Sequence, residues 1–140
     1  MLGFRVHSSF SSRRNPHTVR TGYHTMAVAD AGTIDIVAHD PARDEALLVM
    51  VEDRPWPTNG AFLTDLEAKL NTYLLYVTGG RLVVAFPDLK DKPVHFQLRT
   101  TFPPGERELE YLRLVDKQHL RPASIRFSWR IIGETHEHGL

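Results

Sequence analysis

The chain has 140 residues, which suits one domain with a single core. Its 17 basic and 17 acidic residues cancel, but residues 1–29 hold four Arg and no acid, which leaves 13 basic against 17 acidic residues in the remainder. Non-specific binding to nucleic acid depends on clustered Lys and Arg, so nucleic acid is not an expected partner. There is no Cys, which excludes disulfides and thiolate catalysis and fits a cytoplasmic location. The apolar run 46–51 is far shorter than the roughly 20 residues that span a bilayer, so no membrane association is expected.

Residues 1–31 are predicted to be a disordered or dispensable N-terminal extension. Their apolar side chains follow neither the period of a strand nor that of a helix. The Arg-rich, acid-free composition is also typical of organellar transit peptides. Met26 precedes the first regular pattern, so Met1 and Met26 both remain candidate start sites. We predict one domain over residues 32–132, followed by a flexible tail over 133–140.

The first half of that domain is predicted to form a hairpin. Ile34 and Ile36 alternate with polar residues and indicate a strand over 33–38. Residues 39–44 have the Asp and Pro content of a turn. Residues 46–51 are apolar on both faces, which is typical of an interior strand.

Residues 60–78 give the clearest helix pattern. Thr58 or Asn59 is suited to cap its start, and Gly79–Gly80 to end it. We interpret Asp65 and Lys69 as an ion pair on its solvent-facing side. Its apolar stripe consists of residues spaced three or four apart: Phe62, Leu63, Leu66, Leu70, Tyr73, Leu74 and Val77.

The second half adds a short strand over 82–86, a strand over 94–100, a helix after Pro103-Pro104-Gly105 and a strand over 125–131. The order β-β-α-(β)-β-α-β predicts an α+β two-layer sandwich, with a mixed four- or five-stranded sheet and two helices on one face. We predict the sheet order 33–38, 46–51, 94–100, 125–131, whose crossovers are right-handed. The alternative is a ferredoxin-like order with 125–131 and 82–86 at the outside.

The candidate binding site is the strand-to-helix junction Glu52-Asp53-Arg54-Pro55-Trp56. Arg54 offers a fork for a carboxylate or phosphate, Trp56 a stacking surface, and Glu52 and Asp53 acceptors. The structural interpretation of the same residues is an internal ion pair of Arg54 with either acid, beside a tryptophan that closes the core. Asn71, a poor helix former in mid-helix, is the fifth candidate residue.

No catalytic, cofactor or metal site is predicted. His39 and His95 lack an identifiable orienting acid and nucleophile in the sequence. His136 and His138 lie in the pattern-free tail, where metal binding would be adventitious. The polar positions of the last two strands form a candidate basic platform: His95, Gln97, Arg99, Arg126 and Arg130. RNA-binding sheets also expose aromatic residues on that face, whereas Phe96, Phe127 and Trp129 here alternate with it.

The segment Met50–Trp56, with its Val-Glu-Asp-Arg-Pro-Trp motif, followed by Leu66–Tyr73, resembles an uncharacterised bacterial family of unknown function. The resemblance covers about residues 32–132 and includes a segment similar to Ile34–Asp40. It implies a small cytoplasmic bacterial protein and no catalytic residues.

The predicted function is a non-enzymatic binding or interaction module that self-associates. With helices on one side only, the other face of the apolar strand 46–51 needs cover, and the sheet of a second copy would supply it. The alternative is a pocket for a small molecule, or a weak enzyme, at the junction 52–56.

Overall fold

The computed structural model describes residues 5–6, 32–56 and 61–140. Except for residues 5 and 6, the predicted extension 1–31 lies outside these ranges. The predicted caps Thr58 and Asn59 also lie outside them. The strands are β1 Arg5–Val6, β2 Ile36–Asp40, β3 Glu45–Glu52, β4 Val94–Thr100, β5 Ile125–Ile131 and β6 His138–Gly139. The helices are α1 Ala61–Thr78, α2 Arg81–Ala85 and α3 Glu106–Val115, with a π-helical turn over Asp116–Leu120.

The strands form one mixed sheet in chain order, from β1 to β6. Strands β2 and β3 are an antiparallel hairpin, and β3, β4 and β5 run parallel. The predicted α+β fold is therefore confirmed, together with the order of its four main strands. The ferredoxin-like alternative is wrong, because β5 pairs with β4 and not with β3.

The predicted strand over 82–86 is wrong, because residues 82–85 belong to α2 and Phe86 is its C-cap. Leu82 and Phe86 are buried, whereas Val84 between them is 78% exposed. Buried residues four apart lie on one helix face, and this packing outweighs the strand preference of Val. The predicted end of α1 is confirmed by Gly80, whose φ of 84° is the left-handed conformation that glycine adopts most readily.

The predicted first strand is shifted along the chain. Strand β2 starts at Ile36 and continues through His39 and Asp40, which the sequence pattern places in the turn. The turn itself contains residues 41–44, and the Asp40 side chain accepts a hydrogen bond from the Ala42 amide at 3.0 Å.

The main core lies between the sheet and the helices. It contains the alternate residues of β3, β4 and β5 that face α1, α2 and α3. Its largest members include Leu48, Met50, Phe96, Leu98, Phe127, Trp129, Leu66, Leu70, Tyr73 and Leu112. A second, smaller cluster on the opposite face contains Ala38, Leu47 and Val49, each no more than 2% exposed. We call this opposite side of the sheet the second face.

The predicted surface pair of Asp65 and Lys69 is wrong, because Lys69 is completely buried. Its Nζ donates to Asp35 Oδ1 at 2.8 Å and to the Thr33 carbonyl at 2.6 Å. Tyr73, one turn later, donates to the Val49 carbonyl at 2.6 Å. These buried polar contacts join α1 to the hairpin.

The tail 133–140, for which the sequence predicts no regular element, contains strand β6. His138 pairs with Trp129 in the sheet, and the two rings stack with centroids 4.1 Å apart. Glu137, next to it, reaches the polar residues of β4 and β5. Within the described ranges, no helix is long and apolar enough to cross a membrane.

Candidate functional site

The junction after β3 is held by an ion pair between neighbours in the chain. Arg54 Nε and Nη2 donate to the two carboxylate oxygens of Glu52 at 2.8 and 2.7 Å, and the Arg54 amide donates to the same carboxylate at 2.7 Å. The Glu52 side chain is 1% exposed, and Asp65 on α1 lies 3.5 Å from Arg54 Nη1. Hydrogen bonding to Glu52 raises the pKa of Arg54. The geometry is that of a buried carboxylate, Glu52, paired at both oxygens with Arg54.

The other two candidate residues of the junction are Trp56 and Asp53. Trp56 is partly buried against the core and donates its indole N–H to the Phe102 carbonyl at 2.7 Å, which ties the end of β3 to the end of β4. Asp53 is exposed. The structure therefore brings Glu52, Arg54 and Trp56 into contacts that stabilise the carboxyl ends of β3 and β4.

Replacing Arg54 with Ala is expected to destabilise the protein at pH 7 by about 1–3 kcal/mol, because buried Glu52 loses its charged partner. Urea unfolding of wild type and Arg54→Ala at pH 7 measures the effect. An equal or increased stability at pH 7 would mean that the arginine is held for a ligand.

Asn71, the remaining candidate, lies elsewhere. It is exposed on α1 and lines a groove of about 520 Å³ between α1 and α3. Neither Arg54 nor Trp56 lines this groove, so the structure does not bring Asn71 together with the junction. The apolar lining is Ala68, Leu70, Leu74, Leu114, Val115 and Leu120, and the polar lining is Thr64, Glu67, Asn71, Tyr111, Gln118 and His119.

The π-helical turn after α3 shapes one wall of this groove. It places Gln118, His119 and Leu120 along the groove, while Asp116 is buried and accepts a hydrogen bond from Arg121 Nε at 2.7 Å. Turns of this kind occur often at functional sites. Residue periodicity does not reveal a π-helical turn, so no sequence pattern indicates these groove residues.

A buried polar cluster occupies the second face at the start of β4 and β5. His95, at 2% exposure, lies between Glu45, whose Oε1 is 3.2 Å from Nδ1, and Ser128, whose Oγ is 2.6 Å from Nε2. Arg126 joins this cluster by donating to Glu45 Oε1 at 2.6 Å and to Glu137 Oε2 at 3.0 Å. Three strands and the tail each contribute residues to this cluster, so no local sequence motif indicates it.

The acid–histidine–serine order of this cluster invites comparison with a hydrolase triad. Arg126 Nη2 lies 2.9 Å from His95 Nδ1, and a guanidinium group can only donate. We therefore assign Nδ1 as the acceptor and place the ring proton on Nε2, facing Ser128. Burial, followed by the charge of Arg126, lowers the pKa of His95 to about 4. A protonated Nε2 cannot remove the hydroxyl proton of Ser128, so this arrangement does not activate a nucleophile.

In the part of the chain that the structure describes, no group of three or more His, Asp or Glu side chains is arranged to hold a metal ion. His136 and His138 lie edge to face, with ring centroids 4.3 Å apart.

Fold and site together define a small α+β protein with a mixed sheet, one helical layer and a groove between two helices. The chain belongs to DUF6572, a family of unknown function whose model matches residues 26–133. This confirms the resemblance to a family of unknown function. Comparison with curated proteins and with solved structures found no match.

Proposed function

We propose that this protein is a non-enzymatic binding module and that a small molecule binds in the groove between α1 and α3. The observation that carries the proposal is the groove itself. Its volume of about 520 Å³ falls within the roughly 300–1,000 Å³ of small-molecule sites. An apolar floor with a few converging polar groups is also typical of such sites.

The lining favours a ligand with an apolar body and a positively charged or hydrogen-donating group. Glu67 is an acid, and the lining contains no Lys or Arg. Burial, with Glu67 as a second cause, raises the pKa of Tyr111 to about 12, so its phenol stays neutral and its oxygen can accept a hydrogen bond from such a group. A carboxylate ligand would instead meet the charge of Glu67.

Phenethylamine and phenylacetate test this proposal, because they share an apolar body and carry opposite charges. In NMR titrations, phenethylamine is expected to shift the amide signals of Asn71 and Tyr111 in a saturable way, and phenylacetate is not. Ala68→Trp should block the shift, because the larger side chain fills the groove. Val84→Trp is the matched control, since Val84 is 78% exposed and lies outside the groove.

Shifts that survive Ala68→Trp, or an absence of saturable shifts in wild type, would contradict the proposal. The alternative pocket at 52–56 is less favoured, because Glu52 already occupies the charged fork of Arg54.

Self-association through the sheet stays a separate proposal. It assumes that one apolar face of the sheet is uncovered. In the single chain, however, Leu47 and Val49 on the second face are no more than 2% exposed. Light scattering during size-exclusion chromatography distinguishes the 16.0 kDa chain from a dimer.

We also propose that this is a cytoplasmic, bacterial protein. The lack of Cys supports a reducing compartment. Fractionation of the source cells tests the location.

A further inference from the structure

Two arginines lie side by side at the carboxyl ends of the parallel strands. Arg99 of β4 and Arg130 of β5 are register partners in adjacent strands. Neighbouring strands are about 4.8 Å apart, so two side chains at one register position on the same face lie close together. Both residues are half-buried. They belong to the second face, on the other side of the sheet from the helical groove.

Neither arginine forms an ion pair within the described ranges. Arg99 Nε donates to the neutral amide oxygen of Gln97 at 2.7 Å. Arg130 has a buried Nε without a hydrogen-bond partner. A buried N–H group that makes no hydrogen bond destabilises the fold, so a hydrogen-bond acceptor is missing at this position.

Other buried or half-buried cations of this fold have acidic partners. Lys69 pairs with Asp35, Arg54 with Glu52, and Arg126 with Glu45 and Glu137. Arg126 also lies on β5 and on the second face, four residues before Arg130. These acids are therefore paired with other cations, and Arg99 and Arg130 face each other with like charge.

The electrostatic consequence is visible at Arg99. Burial, together with the charge of Arg130, lowers its pKa to about 10. Two guanidinium groups placed together out of water repel each other, and an anion bound between them would reverse the sign of that interaction.

We infer that Arg99 and Arg130 form a binding site for the oxyanion group of a small ligand, either a carboxylate or a phosphate. A guanidinium group offers its donors in a planar fork that matches both groups. The position agrees with the general tendency of α/β sheets to bind ligands beyond the carboxyl ends of their parallel strands. Phe102 and Ile132, which follow the same two strands, are 42% and 44% exposed and supply apolar surface at this end of the sheet.

Inorganic phosphate and phenylacetate are the two probes, each titrated against chloride at constant ionic strength. We expect at least one to bind saturably, with a shift of the Nε–H signals of Arg99 and Arg130 in nitrogen-edited NMR spectra. Binding of phosphate alone assigns a tetrahedral oxyanion, and binding of phenylacetate alone assigns a carboxylate with an apolar body. Either result supports the site.

Arg99→Gln and Arg130→Gln should each weaken that binding by about tenfold or more, the loss expected for one charge-assisted contact. Both variants should fold, since neither leaves an acid without its partner. Arg107→Gln, at an exposed arginine of α3, removes the same charge elsewhere and should leave binding unchanged.

Absence of saturable binding by both probes would overturn the inference. Equal binding in wild type and in both Gln variants would overturn it as well, because it would show a general salt effect. The groove proposal is independent, since its signals come from α1 and α3.

Discussion

Replacing Lys69 with Met is expected to lower the free energy of unfolding by about 3–5 kcal/mol, which makes it one of the most damaging single changes in this protein. Methionine has a similar length, so the expected loss comes from charge and hydrogen bonding. Asp35 would remain beside the core without the ammonium group now 2.8 Å away. Burial already raises the pKa of Asp35, and removing Lys69 takes away the two largest influences that oppose this rise, its charge and its hydrogen bond. The loss should therefore be smaller at acidic pH. Urea unfolding measures it.

A second variant separates loss of the pair from loss of packing. Adding Asp35→Asn to Lys69→Met removes the uncompensated charge and should recover a large part of the lost stability, which a double-mutant cycle quantifies. Lys90→Met, at an exposed lysine, should stay within about 0.5 kcal/mol of wild type. A Lys69→Met protein as stable as the Lys90→Met protein would show that the buried pair does not form in solution.

The protein should lose about 2 kcal/mol of stability between pH 7.5 and pH 5 through His95. The pKa of His95 is about 4 in the folded protein, against an ordinary value of 6.5. Between these values the unfolded chain binds a proton that the folded protein does not, so falling pH favours unfolding. The contribution is complete above pH 6.5 and is lost as the pH approaches 4. Thermal and urea unfolding across this range follow it.

His95→Gln is the variant that tests the origin of this loss. It removes a buried hydrogen-bonded ring and lowers stability at every pH, but it should flatten the slope between pH 7.5 and pH 5. His119→Gln, at an exposed position, should keep the wild-type slope. If His95→Gln keeps that slope, other groups cause the pH dependence.

The sequence predicts most of this fold because its strands and long helices have clear periodicity. Strands β3, β4 and β5 and helix α1 lie within one or two residues of their predicted bounds. Helix α2 was missed because Arg81–Ala85 is short and rich in Val, and only the packing of Leu82 and Phe86 against the core selects a helix. Such a choice depends on tertiary contacts, which local preference does not contain.

The candidate sites were harder to predict for a different reason. The sequence predicts the ion pair of Glu52 with Arg54 as the structural interpretation of the junction, since its members are two residues apart. The partners Lys69 and Asp35 are far apart in the chain, and a lysine within a helix pattern normally indicates solvent. Likewise, the isolation of Arg99 and Arg130 emerges only when the acids that serve other cations are located in three dimensions.

The order of the strands in the sheet is the order in which the ribosome makes them. Each new strand can join the free edge left by the one before it, and no later strand has to insert between two that are already paired. Synthesis at about 5–20 residues per second is slow compared with local folding, so each strand has time to dock before the next emerges. A growing chain of this topology therefore presents one newly made edge at a time.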